Sequence, residues 1–216
     1  MKIRYPQPIN SDTYDIGLRH EISERALVEA VALTAEICGH ALSPAAARML
    51  AGDLADFNQS AVLGALARCR MERHGPLKVA DILARIDDGR PSAEEAWAMM
   101  PRNELASVVW TEEMAQAWGV ASPLLDAYDV SGARTVFQGL YDKAVLEARI
   151  RRHPVRWTPS LGSDTSGRES VLLDAMRKRR LSPEHVAALL PPEDEHADGA
   201  PVAVKSVISK KIRQFH

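Results

Sequence analysis

The chain is poor in aromatic residues, 5% of its 216, holds only two cysteines, and has no apolar run near the roughly 18 residues of a membrane-spanning helix. Few aromatics, and β-branched residues that never alternate over more than a few positions, argue against a sheet-built core. Two cysteines exclude a disulfide framework. Cys38 and Cys69 each fall on the apolar stripe of an expected helix and read as small buried hydrophobes. The opening "MKIRYPQPIN" lacks the apolar segment of a secretory signal, so the expected location is the cytoplasm, with no membrane partner.

Several chemical signatures are missing too. No Gly-x-x-x-x-Gly-Lys-Ser/Thr loop offers backbone amides to nucleotide phosphates, and no Gly-x-Gly-x-x-Gly opens a helix after a strand. The seven histidines, at 20, 40, 74, 153, 185, 196 and 216, never share one helical face at metal-ligand spacing. The sequence therefore implies no cofactor, no metal ligand and no catalytic residue.

What is present is a rich supply of alanine and aliphatic residues, 46% apolar overall, at helical spacing. The expected fold is all-α: a compact multi-helix domain with a small C-terminal helical pair and a flexible tail. The expected divisions are a core over 1–150 with its first twenty or so residues irregular, a linker or arm over 151–168, a small basic helical pair over 169–190, and a flexible tail over 191–216.

Helix expectations follow from stripes and caps. The first runs from Glu21 to Cys38, closed by Gly39. "LSPAA" puts Ser43 at an N-cap and Pro44 at the first helical position, before a buried stripe of Met49, Leu50, Leu54 and Phe57. Helices are expected over Gln59–Glu72 and Val79–Ile86. Pro101 ends the next short helix, and Asn103 caps one that buries Leu105, Val108 and Val109 and is followed by "WTEEMAQAWG", stopping at Gly119, with Thr111 either a second cap or a mid-helix residue. Asp129 caps a long helix whose stripe is Ala133, Phe137, Leu140, Tyr141, Ala144, Val145 and Ala148. Ser182 and Pro183 repeat the Ser43–Pro44 device.

The stretch "RIDDGRPSAEEAW", Arg85–Trp97, raises the question of a carboxylate site. Gly89 is placed to stop one helix, and Ser92 with Glu95 three residues on has the capping-box pattern. Asp87 and Asp88 then serve turn amides, while Glu94 and Glu95 meet the positive end of a helix dipole. Trp97, Trp110 and Trp118, each beside alanine, valine or methionine, are expected to pack between helices.

Charge is unevenly distributed. Residues 1–147 carry 14 Lys and Arg against 21 Asp and Glu, a net −7, whereas residues 148–190 carry 9 against 4, a net +5. Within the basic part, Arg149, Arg151, Arg152, Arg156, Arg177, Lys178, Arg179 and Arg180 are candidates to neutralise phosphates, with Trp157 a candidate to stack on a base. Cations at a helix C-terminus also have an ordinary role against the dipole. In the tail, "VAVKSVISKKIRQFH" is amphipathic, and Val207, Ile208, Lys210, Lys211, Ile212 and Phe215 are candidate partner contacts.

Four segments, "LSPAAARMLAGDLADFNQSAVLGALARCR", "GPLKVADILARI", "EEAWAMM" and "DVSGARTVFQGLYDK", together resemble the helical domain of phage-encoded replicative-helicase loaders of the ATP-independent loader-and-inhibitor family. The resemblance covers roughly Leu42 to Lys143 and rests on packing positions, among them Phe137 and Tyr141. It implies a non-enzymatic accessory of DNA replication in which a C-terminal region engages a replicative helicase; the contact of a basic segment with single- or double-stranded DNA is the expectation from the charge distribution. The basic pair Glu169–Leu190 has no counterpart in that pattern. Two other readings stay open: a transcriptional regulator with a helix-turn-helix around Arg68–Arg85 or Glu169–Leu190, and a hydrolase using Asp53, Asp56, Asp87 or Asp88.

Overall fold

A computed structural model describes residues 11–190 apart from 102 and 104. The chain is mostly helical, with nine helices and one small two-stranded sheet among the described residues. Its contacts divide into two units, each discontinuous in sequence. Unit 1 holds the residues up to Arg90 and Asp142–Val155, and unit 2 holds Pro91–Tyr141 and the residues from Arg156 onward. These limits fall at 90, 141 and 155, whereas the divisions expected from the sequence fall at 150, 168 and 190.

Unit 1 is built on α1 (Ser11–Ile37), α2 (Pro44–Gly52), α3 (Gln59–Glu72) and α4 (Val79–Leu83). Two side-chain caps start α2 and α3. Ser43 Oγ accepts from the Ala46 amide at 3.2 Å, and Asn58 Oδ1 accepts from Ser60 and Ala61, so first-turn amides are satisfied where the sequence placed the breaks. Val31, Ala35, Leu54, Val62, Leu66 and Ile82 form the buried centre, and Leu146 packs against it. Both cysteines are buried free thiols: Cys38 donates to the Cys69 carbonyl and Cys69 to the Asp81 carbonyl, and burial, the largest influence, pushes the Cys69 thiol up.

Several expectations are corrected here. Helix α1 begins at Ser11 rather than Glu21, because its backbone ladder needs no apolar stripe in the sequence. Met49 is 75% exposed; Ala47 and Ala51 take the inward positions of α2, and Leu50 and Phe57 are half-buried. The helix opened by Val79 ends at Leu83 and continues as a turn to Ile86.

Unit 2 contains the sheet. Strands β1 (Val108–Thr111) and β2 (Trp157–Ser160) pair antiparallel, Val108 opposite Ser160 and Thr111 opposite Trp157. Where a helix burying Leu105, Val108 and Val109 is expected, Leu105 lies exposed in a turn and Val108–Thr111 is a strand, in keeping with the β-branched run Val108, Val109 and Thr111 around Trp110. The expected irregular arm likewise contains β2, in which Pro159 is tolerated because a two-stranded sheet consists of edges only. Gly162 follows at a close approach: a Cβ there would strike the Leu105 carbonyl, and its amide donates to Ser107 Oγ at 3.1 Å.

Helices α5 (Ala93–Met99), α6 (Glu112–Asp126), α8 (Thr165–Arg177) and α9 (Pro183–Leu189) complete unit 2 with the first turns of α7 (Val130–Ile150). Thr111 caps α6, accepting from the Met114 amide at 3.4 Å. Gly119 does not stop that helix, which continues through Pro123 with Ala117 and Ala121 buried on either side; an interior glycine costs only about 1 kcal/mol, less than burying such a face returns. Trp97, Trp118 and Phe137 form a ring cluster with centroids 5.5–6.5 Å apart, and Phe137 stacks on Tyr141 at 5.9 Å. Trp110 lies on β1 instead. A second core joins Val109, Leu172, Ala175, Leu181 and Val186.

Candidate functional site

The carboxylates of "RIDDGRPSAEEAW" are accounted for by local structure. Asp87 Oδ1 accepts from the Gly89 amide and Asp88 Oδ1 from the Arg90 amide, with Gly89 at φ +90°. Ser92 Oγ accepts from the Glu95 amide at 3.3 Å while Glu95 Oε2 accepts from the Ser92 amide at 2.9 Å, a reciprocal cap. Ser92's donors hold the Glu95 carboxyl below its usual range. Glu94 accepts from Arg134 and from Gln138.

Asp88 does more than turn the chain. Arg149 Nη2 and Nε meet its two oxygens at 2.9 and 3.2 Å, and Arg90 Nη1 meets one of them at 2.6 Å. Arg149 Nη1 also donates to the Leu83 and Ala84 carbonyls, closing the C-terminus of α4, and Arg90 Nη2 donates to the His153 carbonyl. Burial pushes the Asp88 carboxyl up, but the hydrogen bonds and charges of the two arginines outweigh it and hold the carboxyl below its ordinary value.

Arg149 is only 6% exposed, with its donors directed into this network. Its expected contact with nucleic acid is therefore corrected: it is a buried tie within unit 1. Arg151 pairs with Glu147 on the surface, and Arg152 lies over the Phe57 ring at 4.7 Å while bonding Asp53, Asp56 and the last carbonyls of α7. Of the carboxylates that the hydrolase reading would use, Asp87 and Asp88 border an open basin of about 640 Å³ beside Asn58 and Arg68. Among the described residues no three His, Cys, Asp or Glu side chains gather to hold a metal.

The other basic residues belong to unit 2. Helix α8 ends in a left-handed turn at Arg179, φ +56°, whose amide and that of Arg180 donate back to the Met176 and Ala175 carbonyls. Around this turn stand Arg177, Lys178, Arg179 and Arg180. Arg177 and Lys178 share the Asp174 carboxylate at 3.4 and 2.8 Å, and Glu95 lies within electrostatic range of Lys178 and Arg180. Four cations thus face two carboxylates. Arg177, Lys178 and Arg179 are exposed, as is Arg156, whereas Arg180 is half-buried.

Trp157 is not an open platform. The Arg180 guanidinium carbon sits 4.2 Å from its ring centre, and the indole packs on the Val109–Leu172 core. Its expected role as a bare stacking surface is corrected to that of a half-buried support for Arg180. Sequence reasoning missed Asp174, although its spacing of three and four residues before Arg177 and Lys178 on a helix was the signal that could have found it.

The tail candidates Val207, Ile208, Lys210, Lys211, Ile212 and Phe215 lie outside the described residues. No helix among the described residues is long and apolar enough to cross a membrane. No family model, no curated protein and no solved structure matches this chain.

Proposed function

We propose that this is a non-enzymatic accessory protein of DNA replication, of the helicase-loader type that its helical segments resemble, which contacts single-stranded DNA through unit 2. The observation that carries the DNA contact is the surplus of cations at the end of α8: Arg177, Lys178 and Arg179 are exposed, and the ion pairs of Arg177 and Lys178 with Asp174 are surface pairs. Such pairs are worth about 0–1 kcal/mol, so a phosphate can displace them at little cost. The replicative helicase is the proposed partner of the C-terminal tail.

The alternative of a helix-turn-helix regulator is less well supported by α8 and α9. A recognition helix reads bases with its N-terminal residues; α9 is seven residues long and begins Pro183-Glu184, with the cations on the preceding turn.

Fluorescence anisotropy with a labelled single-stranded oligonucleotide at several salt concentrations tests the DNA contact. Binding should weaken steeply with salt, and Arg177→Glu with Arg179→Glu should abolish most of it while circular dichroism stays unchanged. No binding at low salt, or undiminished binding by the double variant, would overturn the reading. Co-purification of the full chain with the host's replicative helicase, lost on truncation after Leu190, tests the partner.

A further inference from the structure

Beside the exposed cations, unit 2 has a cleft of about 290 Å³ between β1 and α8. Its apolar side is Val108, Val109, Val171 and Ala175, and its polar rim is Ser170, Asp174, Lys178 and Arg180. Val109 and Ala175 belong to the buried core beneath, so the wall behind the cleft is fixed by packing.

Arg180 is the unusual member. Its guanidinium carbon lies 4.2 Å from the centre of the Trp157 ring, and among the described residues the one hydrogen bond the guanidinium makes goes to the Met99 thioether at 3.5 Å. Sulfur is a weak acceptor, so an anionic oxygen in the cleft that Arg180 lines is a better partner for its guanidinium than the thioether. Desolvation lowers the Arg180 pKa, with Asp174 and Glu95 opposing that effect through charge alone.

We infer that this cleft binds a monoanionic ligand with an apolar body: a carboxylate received by Arg180 and Lys178, attached to a small aliphatic or aryl group lying on Val108, Val109 and Val171. The rim charges select the ligand class. Arg177, Lys178 and Arg180 stand against Asp174 and Glu95 and leave a single positive charge, which a carboxylate neutralises, whereas a phosphate or phosphonate dianion would leave an uncompensated negative charge next to Asp174. The volume admits one such side chain and its carboxylate, at the small end of ligand pockets. The chemistry is met equally by a free organic acid and by the C-terminal residue of a peptide.

The inference shares Lys178 with the nucleic-acid reading but is tested separately, through Arg180 and Ser170 rather than Arg177 and Arg179. The full chain is titrated by NMR to about 20 mM with 3-phenylpropanoate, its neutral amide and 2-phenylethylphosphonate, well beyond the dissociation constant of about 1 mM that so small a ligand reaches. Saturable shifts are expected at the methyl groups of Val108, Val109 and Val171 with the acid. The amide should bind at least about tenfold more weakly, as expected for loss of a charge-assisted hydrogen bond. The phosphonate should bind no better than the acid. Arg180→Gln should weaken acid binding by about the same tenfold, and Ser170→Trp, an exposed rim position that fills the opening and does not depend on the Arg180–Trp157 contact, should remove it. A short peptide ending in phenylalanine, compared as acid and amide, tells which source binds more tightly. No saturable shift, equal binding of acid and amide, tighter binding of the phosphonate, or full binding by Ser170→Trp would each overturn the proposal.

Discussion

Arg149 grips both carboxylate oxygens of Asp88 from the opposite end of unit 1's sequence, its Nη2 2.9 Å from Oδ1 and its Nε 3.2 Å from Oδ2. The Arg149 and Arg90 side chains are 7% and 2% exposed, so removal of their shared anion takes from both buried guanidinium groups the carboxylate they hydrogen-bond. Asp88→Ala should cost about 3–5 kcal/mol of unfolding free energy, read from urea denaturation. A loss below about 1 kcal/mol would show that the network is solvated and dispensable.

The same pair sets a dependence on pH. The folded Asp88 carboxyl titrates below its unfolded value of about 3.9, so its contribution is fully present above that pH. It is lost as the pH falls through the depressed folded value. Acid unfolding of wild type should steepen in this window, and Asp88→Asn should flatten the curve of stability against pH there. Melting temperatures between about pH 5 and pH 2 measure it.

Ser92→Ala should lower stability by about 1 kcal/mol, a shift of about 2–4 °C in melting temperature. The variant loses the Oγ acceptor of the Glu95 amide but keeps the Glu95 bond to the Ser92 amide, so it should be milder than Ser92→Ala combined with Glu95→Ala. Differential scanning calorimetry on the two variants checks the order.

Tyr128 and Arg152 occupy the same left-handed backbone region, φ +62° and +60°, each just past a helix end that the following amides close. Their replacement by glycine should nonetheless act in opposite directions. Tyr128 is 94% exposed, so Tyr128→Gly relieves strain with little loss of packing and should stabilise by up to about 1 kcal/mol. Arg152→Gly also removes the contact over Phe57 and the bonds to Asp53, Arg149 and Ile150, and should destabilise. Chemical denaturation of the two single variants decides the signs.

The starts of the helices capped by Ser43, Ser92, Asp129 and Ser182 were readable in the sequence, because a cap is local chemistry: each lies within three residues of the amide it accepts from. The inward stripe of α7, with Ala133, Phe137, Tyr141, Val145 and Ala148 buried, was readable for the same reason that its spacing is helical. The strands were not. Val108–Thr111 and Trp157–Ser160 are four residues each, too short for alternation to show, and they exist through pairing across a long separation. The fate of Arg149 was equally hidden, since its neighbours in sequence are exposed cations and its partner Asp88 is distant along the chain. The Arg180 cleft depends on Met99, Trp157 and Val108 arriving from three separate segments.

The interleaved limits of the two units have a consequence for how the protein is made. Synthesis proceeds from the N-terminus, and domains ordinarily condense as they emerge. Here the first ninety residues leave the ribosome with Asp88 and Arg90 in place, but Arg149 and Leu146 arrive only after all of Pro91–Tyr141 has been translated. Unit 2 waits longer still, because β1 has no partner until Trp157–Ser160 appears. Neither unit can therefore be completed by a nascent chain shorter than about Val155, and any single cut between Arg90 and Asp142 yields two fragments that each lack part of both interiors.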